Sequence, residues 1–321
     1  MATATRRPST VRIPREGNAV VHLGRRAVPL TNLHKVFWPE LGLTKRHLLQ
    51  YYADVSPALL PHLRDRAMVM KRYPSGIHGK CFFMKRAPEP RPDWIETCPI
   101  MHKSGNLIEF PMVQDLATLL WVVNLGCVDL NPWYARCDDV DRPDYLHFDL
   151  DPVTAKKGQK GVSFGRVLEV ALVLRDALAG LGMPSYPKTT GSRGIHVYVP
   201  IVRGPTQKQV RTFAKAFAQT MAKRSPALIT AEYKIAKRPQ GRVLVDYNQN
   251  AWGRTLSSLY SVRPREGAPV SMPVTWKEIE KGITIEQFTM KTARQRIKKM
   301  GDLWSPLLPQ AKGRFDLSKL L

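Results

Sequence analysis

Two strand-like segments flank one strongly amphipathic helix in the middle of this chain, and that arrangement restricts the fold more than any other feature. The segment DYLHFDLDP (144–152) alternates apolar and polar side chains, as a half-buried strand does. GRVLEVALVLRDALAGLGM follows, with Val167, Val170, Ala171, Leu174, Ala177 and Leu178 on one helix face and Gly180 or Gly182 to close it. YPKTTGSRGIHVYVPI then turns through glycines into a strand carrying Ile195, Val197 and Val199. Such a unit buries one helix face on a sheet. The predicted class is α+β, with mixed or antiparallel sheets flanked by helices.

The rest of the chain supplies further elements of the same kind. LTKRHLLQYYADVSPALLPHL reads as an early helix capped by Thr44. AMVMKRYP alternates like a strand, and CFFMKRAPEPRPDW runs into an exposed basic loop over 85–93. QDLATLLWVVNLGCVDLNPW predicts a core helix closed near Gly126, then a short polar-tipped segment. QVRTFAKAFAQTMAKR is a basic helix, RVLVDYNQN a third strand ending in Asp246, and the region from 272 onward is helical and basic. Residues 1–20 are polar, basic and proline-containing and are expected to form a mobile tail. A single folded domain is assigned to 21–305 and a C-terminal tail to 306–321.

The charge is what selects a partner. Fifty Lys and Arg against 26 Asp and Glu leave a formal net charge of +24 over 321 residues, which suits a polyanion such as nucleic acid. A basic protein with a merely solvated positive surface is the plainer alternative. No 18-residue apolar span or signal peptide is present, so no membrane partner is expected. The four cysteines at 81, 98, 127 and 137 form no CxxC pair and predict reduced thiols in a cytoplasmic protein. Cys98 and His102 lack a second ligand pair, so no zinc is expected.

In a basic chain, two adjacent carboxylates need an explanation. Residues i and i+2 of a strand share a face, so His147, Asp149 and Asp151 point together while Phe148 and Leu150 enter the core. Like charges at that spacing ionise together only beside a cation, and hard divalent ions are the usual answer. A DxD pair alone also occurs in glycosyltransferases, phosphatases and acidic strand ends. In TTGSRGIHVYVP, Gly191 and Gly194 allow close backbone approach to a ligand, while Thr190, Ser192, Arg193 and His196 offer donors for phosphate. A tight turn opening a strand explains the glycines equally well. Asp246 adds a third carboxylate, with Lys237, Arg238, Arg242, Arg254 and Arg263 nearby in sequence. Three acids for metal and many bases for phosphate fit two-metal nucleotidyl transfer, in which an attacking 3′-hydroxyl is acidified and a leaving pyrophosphate is stabilised.

These residues resemble motifs I, II and III of the archaeo-eukaryotic primase superfamily, and specifically the polymerase domain of bacterial DNA ligase D in non-homologous end joining. The resemblance runs from about residue 28 to 305 and includes TNLHKVFWP, KRYPSGIHGKCFF, DLNPW, VDYNQN and YSVR in order. It implies Asp149, Asp151 and Asp246 as catalytic ligands of two Mn²⁺ or Mg²⁺ ions. It implies nucleoside triphosphate held by Thr190, Ser192, Arg193, His196, Arg263 and Arg254, with Lys71 and Arg72 facing the active-site or template groove. Phe83 is similar to an aromatic that stacks on a base, whereas Phe82 is expected in the core. Lys35 and Lys45 resemble a pair that grips a 5′-phosphate on the downstream DNA strand.

The implied substrates are DNA gaps, overhangs and primer-template ends, filled with ribonucleotides in preference to deoxyribonucleotides. An end-binding protein such as Ku and a separate DNA ligase are the implied partners, since the chain lacks a KxDG motif and resembles a stand-alone polymerase or an excised domain. Asn131 stands where many relatives carry His, and Arg193 where Lys is frequent, which keeps the charge but alters the geometry. A metal-dependent nuclease and a non-catalytic DNA-end scaffold are the competing functions.

Overall fold

A computed structural model describes residues 11–102, 105–153 and 161–321. The strands β1 (Ala19–Leu23) and β2 (Arg26–Leu30) form an antiparallel hairpin, and β3 (Val36–Trp38) pairs with β4 (Leu43–Thr44). The helix α1 (Lys45–Leu63) starts at Thr44, where the Thr44 side chain and His47 cap each other's backbone. Next come β5 (Met68–Arg72), β6 (Phe82–Met84), the hairpin β7 (Thr97–Met101) and β8 (Leu107–Pro111), α2 (Leu116–Asn124) and β9 (Cys127–Pro132). The three strands β6, β5 and β9 make one small antiparallel sheet in that order.

The second half supplies the larger sheet. It contains β10 (Tyr145–Pro152), α3 (Phe164–Gly180), β11 (Tyr186–Thr189), β12 (Ile195–Pro200), α4 (Gln207–Arg224), β13 (Ile229–Thr230) and β14 (Val243–Asp246). The order is β11-β12-β10-β14-β13, antiparallel except for β13 beside β14. Two short helices, α5 (Trp276–Lys281) and α6 (Met290–Met300), follow. Val167, Val170, Ala171, Leu174 and Leu178 of α3 are buried with Phe148 and Leu150 in one core, so the predicted α+β class and the faces of the central unit hold. Among the described residues no helix is long and apolar enough to cross a membrane.

Several expectations change. Within the region read as a tail, Ile13 is buried and its N–H donates to Gln50 Oε1 at 2.8 Å, while Gln50 Nε2 donates to the Val11 carbonyl. The apolar pair Val11 and Ile13 gives that segment something to bury; residues 1–10 lie outside the described part. At the other end, Leu317 is buried, Phe315 bridges to Ile201, and Arg314 donates to the carbonyls of Asp144, Leu307 and Leu308. The segment 306–321 is therefore packed onto the domain. The stretch after Gly126, read as polar-tipped, is the fully buried strand β9. Cys98 and Cys137, expected as reduced thiols, form a disulfide with Cα atoms 5.8 Å apart, because β7 and the segment after β9 meet in a small second core around Phe110 and Trp133.

Candidate active site

The sheet register assembles the site. Asp149 lies opposite His196 of β12 on one side and Asp246 of β14 on the other, and His196 lies opposite Lys188 of β11. Directly opposed residues share a face, so Lys188, His196, Asp149 and Asp246 form one row across four strands. Asp151, two residues beyond Asp149, extends it along β10. His147 shares that face but is shut in by the rings of Tyr134 and Tyr198 at 5.2 and 5.1 Å. Burial and His196 push its pKa down to about 3.

Electrostatics set this row apart from ordinary strand polar residues. Burial, with Asp246 beside it, raises the Asp149 carboxyl well above the usual range. Asp149 itself, with burial, does the same to Asp151. His196 Nε2 stands 3.2 Å from Asp149 Oδ1, but outside hydrogen-bonding geometry, so that buried oxygen has no partner. Burial and the nearby Lys188 hold His196 neutral. An unpartnered carboxylate oxygen among mutually repelling acids fits a hard divalent cation, which prefers oxygen donors. Among the described residues no three His, Cys, Asp or Glu side chains already converge as a cage. The fold supplies a row of facing carboxylates, as suits ions that keep part of their water.

The glycine-rich turn is built for its own chain as much as for a ligand. A Cβ on Gly194 would stand 2.3 Å from the Leu150 carbonyl oxygen and 3.0 Å from Asp151 Oδ1. One on Gly191, at φ +62°, would stand 2.6 Å from Arg263 Cγ. The glycines thus let the turn approach β10 and Arg263, as the tight-turn alternative requires. Thr190 Oγ1 accepts from the N–H groups of Ser192 and Gly194 at 3.2 and 3.1 Å. That hydroxyl shapes the turn, whereas Ser192 is partly exposed in a neighbouring pocket with Arg265.

Opposite the row stands the small sheet. Arg263 Nη1 reaches Asp129 Oδ2 of β9 at 3.2 Å, and Asp129 also accepts from Ser257 and Ser261. Asn131 Nδ2 donates to the Asp129 carbonyl at 3.0 Å. Lys71 Nζ lies 5.4 Å from the Phe83 ring centroid. Phe83 is 62% exposed and Phe82, expected in the core, is 41% exposed; β6 is an edge strand, and Phe82 lies under the Arg72 guanidinium at 5.2 Å. Arg254 is not brought to the acidic row and lines a separate cleft with Lys85 and Trp252.

Lys35 and Lys45 do come together, with Arg72, Thr31, Asn32 and Asn124, around a pocket of about 300 Å³. Lys45 is buried, donates to the Thr31 carbonyl at 2.7 Å, and has its pKa lowered to about 8 by burial, Lys35 and Arg72. Three cations and no acid around one hollow are costly until an anion enters.

Two residues escaped the reading of the sequence. Lys188 is fully buried, donates to Ser257 O at 2.9 Å and Ser271 Oγ at 2.5 Å, and is held far below the usual lysine pKa by burial and Arg263. Asp129 is buried beneath Arg263. The alternation of Cys127, Asp129 and Asn131 with Val128 and Leu130 was a usable strand signal for Asp129, whereas Lys188 carried none beyond its place before the glycine turn.

Comparison with known proteins matches most of the chain to one family. The model of the family described as LigD, primase-polymerase domain, matches residues 44–304. The multifunctional non-homologous end joining protein LigD of Mycolicibacterium smegmatis is 31% identical over 87% of this chain and 36% of its own length. The bifunctional non-homologous end joining protein LigD of Bacillus subtilis is 31% identical over 84% of this chain and 42% of its own. The chain thus spans well under half the length of these relatives. The polymerase domain from Mycobacterium tuberculosis ligase D, solved in complex with DNA, superposes with a TM-score of 0.81 at 30% identity, covering 88% of this chain and 99% of that one.

Proposed function

The chain belongs to the LigD primase-polymerase domain family, a family of metal-dependent nucleotidyltransferases, and on that footing we propose that it extends 3′ ends at DNA gaps and double-strand breaks, ribonucleotides preferred, in bacterial end joining. The observation that carries the proposal is the row of Asp246, Asp149 and His196 in direct register, with Asp151 beside it and the Gly191–Gly194 turn against Arg263.

In this reading Asp149, Asp151 and Asp246 hold two divalent cations, Mn²⁺ or Mg²⁺. Bound there, they supply charge neutralisation at phosphorus and an acidified 3′-hydroxyl. The chain's own residues position everything else. Arg193, Arg263 and Ser192 face the triphosphate, and neutral His196, whose Nδ1 has no partner, offers an N–H to a phosphate oxygen. Lys188, pinned to Ser257 and Ser271, holds β11 and the 257–271 segment together behind the row. Phe83 presents a face to a base, which accepts all four bases as a template reader must. The partners in this reading are DNA, an end-binding protein of the Ku type and a ligase, at work on the nucleoid in the cytoplasm.

Primer extension on a gapped duplex tests the assignment. Growth that requires nucleoside triphosphate and a divalent cation is expected; shortening of the primer without nucleotides would instead support a nuclease.

The pocket of Lys35 and Lys45 predicts a further result. A 5′-phosphate on the downstream strand tightens binding about tenfold, since its dianion relieves the repulsion among Lys35, Lys45 and Arg72. Lys45 ionises at about 8 when the pocket is free and higher with an anion beside it. Above pH 8 binding must therefore take up a proton, and the phosphate preference weakens. Anisotropy titrations of phosphorylated and unphosphorylated gaps at pH 7 and pH 9 check both parts, and equal affinities at pH 7 would reject the site.

Matched NTP and dNTP in single-nucleotide gap filling are expected to differ about tenfold in favour of NTP, the size of one hydrogen bond to the 2′-hydroxyl, about 1.4 kcal/mol. Because Thr190 is engaged in the turn, Thr190→Val weakens both substrates. Ser192→Ala is the variant expected to narrow the ratio, and a clear dNTP preference in the unaltered protein would overturn the prediction.

A further inference from the structure

Between the first turn of α4 and the segment after β14 lies a cleft of about 790 Å³ that the reaction described above does not use. The exposed Lys85, Lys208 and Arg254 line it. Among the described lining residues its one carboxylate, Asp141, is turned to the Gln207 backbone N–H at 3.3 Å. Trp252 is 40% exposed on the wall, and its ring meets buried Trp133 edge-on at 5.5 Å and 86°. Trp133 packs in turn against buried Phe110 at 5.7 Å, so the plane of Trp252 is held from behind.

The cleft also has an unmet acceptor. Gln207 is buried, its Nε2 donates to the Val140 carbonyl, and its Oε1 has no partner. An occupant that can bring an N–H or O–H within reach of Gln207 is favoured, because a buried acceptor left unpaired is costly. A small anion has no flat face to lay on the indole. Paired bases hide their faces, whereas an unpaired base offers a π face, donor edges and flanking phosphates together. The cleft is wired to the catalytic strand: Arg211 Nη2 donates to Asn248 Oδ1 at 2.8 Å, and the Asn248 N–H donates to Asp246 Oδ1 at 2.8 Å.

We propose that this cleft holds one unpaired nucleotide of a single DNA strand, its base stacked on Trp252 and the adjoining phosphates on Lys85, Lys208 and Arg254. The polymerase reading is needed only to say where the strand comes from, namely the single-stranded tail of a broken or gapped substrate.

Binding is measured on the full chain without nucleotides, by anisotropy of a labelled oligothymidylate of about 12 nucleotides, the matching oligouridylate and a blunt duplex. Trp252→Ala is expected to weaken oligothymidylate binding by about tenfold or more and duplex binding less than about twofold, and Trp252→Phe to restore the single-strand affinity to within about threefold. Lys208→Ala is expected to lower the slope of log affinity against log salt by about 0.7. Unchanged single-strand binding in Trp252→Ala, an equal loss on duplex, or tighter binding of oligouridylate than of oligothymidylate would each overturn the proposal. Failure of the unaltered protein to add nucleotides, with the Trp252-dependent binding intact, would defeat the polymerase reading and leave this one standing.

Discussion

Asp149→Asn is expected to lower nucleotide addition at least about 1,000-fold while DNA affinity changes less than about threefold. Asp149 lies between His196 and Asp246 in the sheet register and carries a buried oxygen with no partner, so its role is to present charge at one point. Asparagine keeps the shape and removes the charge. DNA affinity comes mainly from cations on phosphate, which the substitution leaves in place. It also removes one of three mutually repelling carboxylates, so the thermal midpoint in metal-free buffer should hold or rise. An inactive protein of undiminished stability separates lost chemistry from lost folding. Extension at the normal rate would remove the assignment of the row.

Asp144→Ala is expected to destabilise the fold by about 3–5 kcal/mol in urea titrations. Both Asp144 oxygens accept from Arg66 Nη2 at 2.7 Å, one also accepts from Arg136 Nε at 2.9 Å, and all three side chains are buried. Arg66 donates further to the carbonyls of Tyr134 and His62, and Arg136 to that of Arg64. Alanine leaves two buried guanidinium groups with no counter-charge, which costs more than the pair ever contributed. Burial pushes the Asp144 carboxyl up, but Arg66 and Arg136 outweigh it and hold its pKa below the usual value. Its folded pKa is depressed, so its contribution is present above the unfolded pKa of about 3.9 and is lost as pH falls through the folded value. The gap between the unaltered protein and the variant should therefore narrow below about pH 4. Asp144 directly precedes β10, so activity falls with the anchoring of Asp149. A loss under about 1 kcal/mol would show that the two arginines find other partners.

What was legible in the sequence is what a single segment carries within itself. Period-two alternation placed Asp149 and Asp151 on one strand face and Phe148 and Leu150 on the other, and the helix face of α3 was readable because Val167, Val170, Leu174 and Leu178 recur at its own turn. The end of β14 at Asp246 and the glycine turn before β12 were local signals too. The ordered motifs added a proposed role for each residue, through the family they resemble.

The tertiary structure decided which segments meet. Asp149 faces both His196 and Asp246 because β10 lies between β12 and β14, an order that nothing local encodes. Lys188 reads as an ordinary strand lysine; it becomes a buried amine behind the row only because β11 pairs with β12 and the 257–271 segment covers it. Arg66 and Asp144 are 78 residues apart, and Cys98 and Cys137 are 39 apart. Phe82 and Phe83 both stay exposed because β6 has a neighbour on one side only. Arg254 turns to the cleft of Trp252 although it follows Asp246 by eight residues. Periodicity is a property of one segment's own geometry, whereas register, charge pairing and burial depend on the surfaces that distant segments present to each other, and those exist only once the chain has folded.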